Sequence, residues 1–304
     1  MQTTRRTFLK TGVLAATGTL LFPRLLSASG VANEIVGIQL YSVRDDMKKD
    51  PLATLKALAS MGYKHVEHAN YVNRKFYGYS ASEFDRILKD LGLKMESGHT
   101  VLAKRHWDEG AKDFTEEWKY TVEDAATVGQ QYVISPSLEK SARSNYDDLM
   151  KFMEVFNKSG ELCNKSGMKF GYHNHDFEFS EQLNGKSLYD IILQNTDPSK
   201  VMQQLDIGNM VNGGAKAVDL LEKYPGRFES MHVKDEIAAS EGDQKYESTI
   251  IGKGIVGTRK VIDLGKKKGG TVHFIIEQES YQGKTPLDCA KEDLAIMKRW
   301  GYRP

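Results

Sequence analysis

The chain has 304 residues, with 42 lysines and arginines against 41 aspartates and glutamates and only two cysteines. Four of those bases (Arg5, Arg6, Lys10 and Arg24) stand in an acid-free N-terminal stretch, so the body beyond it holds 38 basic against 41 acidic residues, a net charge of −3. A mildly acidic body carries no electrostatic footprint for nucleic acid and argues against tight binding to an anionic membrane.

The N-terminus reads as an address. Thr4-Arg5-Arg6-Thr7-Phe8-Leu9-Lys10 precedes a weakly apolar run, Thr11 to Phe22, and the small residues Ser27-Ala28-Ser29-Gly30. These are the parts of a secretory signal, and the arginine pair resembles a twin-arginine signal, with an ordinary secretory signal or an amphipathic helix as alternatives. The expected boundary is residues 1–30 for the signal and 31–304 for a soluble, periplasmic body. No cysteine follows for lipid attachment, and the run is too short and too rich in Gly and Thr for a membrane span. The remainder, roughly 275 residues, has the length of one α/β barrel.

Eight short apolar runs predict strands: Val36–Leu40, His65–Glu67, Lys94–Ser97, Tyr132–Ser135, Lys169–His173, Met202–Asp206, Ser230–Val233 and Val272–Glu277. Amphipathic stretches alternate with them: Pro51–Met61, Ser82–Leu91, Trp118–Val128, Tyr146–Ser166, Ser187–Gln194, Ala217–Tyr224, Arg259–Lys268 and Pro286–Trp300. Gly62, Gly92 and Gly167 end helices just before a strand, where a left-handed residue closes a short loop. Eight β-then-α units without an antiparallel hairpin signal predict a (β/α)8 TIM barrel, with an open doubly wound sheet as the alternative. No Gly-rich dinucleotide fingerprint follows the first strand, where Gln39-Leu40-Tyr41-Ser42 stands. Cys163 and Cys289, both in helical segments, are read as buried and unpaired, although a disulfide is open to them in an oxidising compartment.

Barrel chemistry sits at the C-terminal strand ends. Those ends supply Gln39 and Tyr41; Glu67 and His68; Glu96 and His99; His173-Asn174-His175-Asp176-Phe177-Glu178; Asp206 and Asn209; His232, Lys234 and Asp235; and Glu277, Gln278 and Glu279. Carboxylates crowded at a barrel mouth repel one another or take up protons unless a cation neutralises them. Mixed carboxylate and imidazole donors therefore point to a divalent metal, with Mn, Zn, Co, Fe or Mg as candidates. Tyr41, Tyr63, Tyr71 and Trp107 offer a stacking wall for a sugar face, with core packing as the commoner use. Gly252-Lys253-Gly254 resembles a flexible active-site loop, but no Walker-type helix start follows it.

Leu205-Asp206-Ile207-Gly208-Asn209, Met231-His232-Val233-Lys234-Asp235 and Ile275-Ile276-Glu277-Gln278 resemble the last three metal-ligand strands of the xylose-isomerase-like TIM barrels. That superfamily holds sugar isomerases, keto-sugar epimerases, inosose dehydratases and endonuclease IV. The resemblance, from about residue 35 to the end, implies metal ligands Asp206, His232 and Glu277. The family's usual first ligand, a glutamate ending strand 5, is absent here: either His173 replaces it or, as preferred, Glu178 reaches back. The implied proton carriers are His175 and Glu277, with Lys234 either polarising a carbonyl or standing as a surface lysine near Asp235. Gln39, Tyr41, Glu67, His99, His173 and Asn209 are the implied substrate contacts. The His-Asn-His-Asp-Phe-Glu run resembles an often-exported subgroup associated with 3-keto-glycosides. It implies isomerisation or epimerisation beside a ketone, with cleavage by elimination or a non-catalytic sugar-binding barrel as alternatives. An endonuclease-like phosphodiesterase fits poorly, because Asn209 stands where those enzymes tend to place a histidine and the body is acidic. The implied partner is a small sugar or glycoside; homo-oligomers remain open.

Overall fold

The structure is a computed structural model that describes residues 34–304 apart from residue 243; the export signal expected over residues 1–30 lies outside the described residues. Eight parallel strands close a barrel: β1 (Ile35–Gln39), β2 (His65–His68), β3 (Lys94–His99), β4 (Tyr132–Ser135), β5 (Lys169–His173), β6 (Val201–Asp206), β7 (Ser230–Val233) and β8 (His273–Ile276). Each pairs with its neighbours in sequence, and β8 returns to β1 through Ile35 opposite His273. The principal helices are α1 (Pro51–Met61), α2 (Ala81–Asp90), α3 (Glu116–Thr127), α4 (Tyr146–Asn164), α5 (Leu188–Asn195), α6 (Ala217–Lys223), α7 (Thr258–Leu264) and α8 (Pro286–Arg299).

Local chemistry explains the boundaries. Asp50 caps α1 by accepting the Ala53 N–H at 3.0 Å, Pro51 occupies its first turn, and Leu55 and Leu58 turn into the core. Gly62 closes the helix at φ 99°, and Gly92 and Gly167 act alike at 66° and 74°. Cys163 and Cys289 are both buried and unpaired.

Strand side chains alternate between two faces, and the inward set is layered from apolar to polar toward the strand ends. Tyr132, Ile134 and Met202 form an apolar cluster of their own. Gly171 leaves them room, since a Cβ there would lie 2.7 Å from the Met202 sulfur. Above that cluster the same registers present Glu67, His173, Gln204, Asp206 and His232.

Four small antiparallel units decorate the connections, against the expectation of none: Tyr71–Ser80, Trp107–Phe114, Gln182–Ser187 and Asp235–Thr249. Most of their strands are two residues long, too short to show a period-two pattern. One signal was present: Asn184-Gly185, both at positive φ, is a favoured hairpin turn pair. Among the described residues no helix is long and apolar enough to cross a membrane.

Asp293 of α8 is fully buried, accepts the Ile251 N–H at 2.9 Å and leaves Oδ2 without a partner. Burial pushes its carboxyl up to about 7. The folded chain therefore holds this proton after the unfolded chain has lost it, and stability falls as pH rises between about 4 and 7. Asp293→Asn keeps the acceptor and removes the titration. Thermal unfolding is expected to show Tm raised by a few degrees at pH 8 and by much less at pH 5; equal shifts at both pH values would contradict this.

Candidate active site at the barrel mouth

Glu67, at the end of β2, has no exposure and is enclosed by donors. Its Oε1 accepts from Gln39 Nε2 at 2.8 Å and lies 2.6 Å from His232 Nε2; its Oε2 accepts from Ser97 Oγ at 2.5 Å and Gln204 Nε2 at 2.8 Å. Although burial opposes ionisation, His99 and His232 hold this carboxyl well below its usual range. Glu67 and Gln39 were expected to touch substrate. Neither lines the cleft; both form a layer beneath it, because their polar atoms are already consumed by one another and by the strand ends.

That layer orients the imidazoles above it. Gln204 spends its amide N–H groups on Glu67 and Ser230, so its Oε1 accepts from His99 Nε2 at 2.7 Å and His173 Nδ1 at 3.0 Å. His173 Nε2 is thereby left as a lone-pair nitrogen. Likewise His232 directs Nε2 to Glu67 and turns Nδ1 toward Glu277 Oε2 at 3.0 Å and Asp206 Oδ2 at 3.8 Å. Asp206 is held through Oδ1, which accepts the N–H groups of Gly208 and Asn209 at 2.8 and 2.7 Å, while Asn174 pairs with its backbone on both sides. Its buried Oδ2 accepts no hydrogen bond and lies 3.9 Å from His173 Nε2.

His173, Asp206, His232 and Glu277 thus each aim one donor atom into a common space, all within 4.8 Å of one another. This corrects the preferred strand-5 reading. His173 joins the group, whereas Glu178 is turned away in a short helix (Phe177–Ser180), bound to the Tyr172 hydroxyl and to His175 N–H. Burial pushes the Glu178 carboxyl up to about 7. Donors within 4.8 Å of one another, one of them a carboxylate oxygen that accepts no hydrogen bond, suit a single cation with bonds of about 2.0–2.2 Å. Burial works against a charge on His232, yet Glu277 and Glu67 push its imidazolium up to about 10. Burial raises Asp206 to about 6, opposed by Lys234.

Lys234 is buried, not a surface residue. Its Nζ contacts Glu277 Oε2 at 3.0 Å, Asp206 Oδ2 at 3.4 Å, Glu279 Oε1 at 2.5 Å and Asn209 Oδ1 at 3.0 Å. His175 stands at the cleft beside His173, ring centroids 5.1 Å apart, with Nδ1 unpartnered. Burial and the neighbouring Lys234 ammonium lower its pKa and favour the neutral imidazole.

These groups open into a cleft of about 1140 Å³ lined by Tyr41, Tyr71, His99, His173, His175, Asn209 and Glu277, among others. Tyr63 instead lies in the core, and Trp107 packs edge-on against Phe114. The Gly252-Lys253-Gly254 turn is no loop over this cleft: its glycine N–H groups bind Asp235 and line a separate recess. Gln204 and Ser97 were missed, and Asn174 was named in the strand-5 run without a role. A polar Gln203-Gln204 pair inside an otherwise apolar strand was the available signal.

Residues 55–300 match the xylose isomerase-like TIM barrel family. The inosose dehydratase of Bacillus licheniformis is 24% identical over 192 residues, covering 57% of this chain and 63% of that enzyme. The chain thus spans less than two thirds of that relative. The inosose dehydratase of Clostridium beijerinckii is 26% identical over 257 residues, 81% of this chain and 83% of that one. Among solved structures, a sugar phosphate isomerase/epimerase from Parabacteroides distasonis superposes with a TM-score of 0.75 at 28% identity, covering 89% and 96% of the two chains. With the closed barrel and its mouth described, the chain belongs to the xylose isomerase-like TIM barrel family.

Proposed function

We propose that the chain is an isomerase- or epimerase-type enzyme acting by metal-assisted proton transfer beside the carbonyl of an unphosphorylated keto sugar or 3-keto-glycoside. The single observation that carries this reading is the convergence of four donor residues, in which the buried Asp206 Oδ2 accepts no hydrogen bond. His173 Nε2, Asp206 Oδ2, His232 Nδ1 and a Glu277 carboxylate oxygen would hold a divalent cation. Bound there, it would supply Lewis-acid polarisation of a carbonyl and its neighbouring hydroxyl. His175, which lines the cleft and is favoured in its neutral form, accepts the proton from the adjacent carbon; Glu277, which also lines the cleft, is the second proton carrier. Lys234 steadies the negative charge on Glu277 and Asp206 from behind.

The absence of phosphate from the substrate rests on charge. Both arginines lining the cleft are committed: Arg74 to Asp124 and Glu123, and Arg105 to Glu117. Export through the twin-arginine route belongs to the same reading, supported by Arg5 and Arg6 ahead of an apolar run. A second reading, elimination with loss of a group beside the ketone, is favoured by the relatives named inosose dehydratase. Both reactions begin with the same proton abstraction.

Incubation with a 3-keto-glucoside in deuterated water, followed by NMR, tests the function. Deuterium beside the ketone is expected, slowed about 10²- to 10⁴-fold by His175→Gln. Release of the aglycone would select elimination, and neither exchange nor turnover would sink the proposal. Glu67→Gln tests the supporting layer. Its amide N–H₂ faces a donor it cannot accept from, so metal affinity measured by competition titration is expected to fall about 10- to 100-fold. Unchanged affinity would remove Glu67 from this role.

A further inference from the structure

Five large hydrophobic side chains are exposed among the described residues: Tyr41, Val72, Val101, Tyr120 and Ile255. Four of them, all but Ile255, line the one cleft that reaches His173 and Glu277. Exposed apolar groups scattered over a surface need no explanation, but a set gathered around a reactive floor marks a binding surface.

The two tyrosines are also built alike. The Arg74 guanidinium sits over the Tyr120 ring, 4.2 Å from its centroid, and is fixed by Asp124 at 2.6 and 3.0 Å and by Glu123 at 3.0 Å. The Arg44 guanidinium sits over the Tyr41 ring at 4.8 Å and is fixed by the Tyr281 hydroxyl at 2.8 Å and the Glu279 carbonyl at 3.0 Å. Each ring is thus backed by an anchored cation that loses no further freedom when a ligand arrives, while 39% of Tyr120 and 43% of Tyr41 stay exposed. The cleft's volume, about 1140 Å³, exceeds the roughly 300–1,000 Å³ usual for sites that enclose drug-sized ligands. One sugar ring at the floor leaves most of it vacant.

We infer that the outer cleft is a subsite for an uncharged apolar or aromatic group carried by the sugar, so that the substrate class is an aryl or similarly hydrophobic glycoside, not a free monosaccharide. This rests on the reading of the floor as the site that handles the sugar ring. Tyr41 and Tyr120 offer aromatic faces, and Val72 and Val101 offer apolar contact. The pairing of Arg74 and Arg105 with carboxylates disfavours an anionic group in the same place.

Calorimetric titration of the metal-loaded chain with phenyl glucoside, methyl glucoside (both anomers of each) and glucose 6-phosphate tests the subsite without requiring turnover. Phenyl glucoside is expected to bind about tenfold or more tightly than methyl glucoside, from the apolar area its ring buries, and glucose 6-phosphate no better than methyl glucoside. Tyr120→Ala and, separately, Val72→Ser are exposed-site changes expected to unfold at the wild-type temperature and to shrink the phenyl preference severalfold. Equal binding of the two glucosides, binding of neither, tightest binding of the phosphate, or a preference that survives both substitutions would overturn the subsite. Turnover assays on the 3-keto forms separate the two claims. A phenyl preference in binding without turnover contradicts the proposed reaction alone, and turnover without that preference contradicts the subsite alone.

Discussion

Three buried carboxylates, Glu67, Asp206 and Glu277, lie within reach of a single imidazole, that of His232. Burying one ion costs several kcal/mol unless partners compensate it, and here the cost arises three times in one small volume. The rest of the mouth is arranged around that constraint. Glu67 is compensated by Gln39, Ser97, Gln204 and His232; Asp206 by two backbone N–H groups; Glu277 by His232 and Lys234. Asp206 Oδ2, 3.4 Å from the Lys234 ammonium, accepts no hydrogen bond and lies 3.9 Å from the lone-pair nitrogen of His173.

In this arrangement His232 and Lys234 carry the compensating charge. A divalent cation in the donor group would take over from the His232 proton, leaving the ring neutral with Nε2–H donated to Glu67. Cation binding is thereby coupled to proton release, as expected wherever a protonated imidazole becomes a ligand. The replacement of the family's customary strand-5 glutamate by His173 acts in the same direction. Two imidazoles and two carboxylates carry one negative charge fewer than a set with glutamate in place of one imidazole, and imidazole donors suit zinc or iron better than magnesium.

The barrel was legible because its signals are local. Alternating apolar runs, a capped first helix and left-handed glycines before strands each fix an element without reference to distant residues. Asp206, His232 and Glu277 were legible for the same reason: each ends an apolar run, and strand ends converge in a barrel. The strand-5 donor was not, because the question depends on rotamers. Glu178 sits in a short turn of helix whose Tyr172 partner draws the carboxylate inward, which no spacing argument reveals. The layer of Gln39, Glu67, Ser97 and Gln204 was hidden too. Its members come from four strands, and each looks like a free polar strand end until their mutual hydrogen bonds are known.

The central claim is that His173, Asp206, His232 and Glu277 converge on one cation. It is tested most directly by metal titration of the purified protein, with bound Zn and Mn quantified for wild type, His173→Ala and Glu178→Gln. The account predicts one equivalent per chain for wild type, near-complete loss in His173→Ala and retention in Glu178→Gln. An absence of metal from wild type, or loss in Glu178→Gln with retention in His173→Ala, would contradict it.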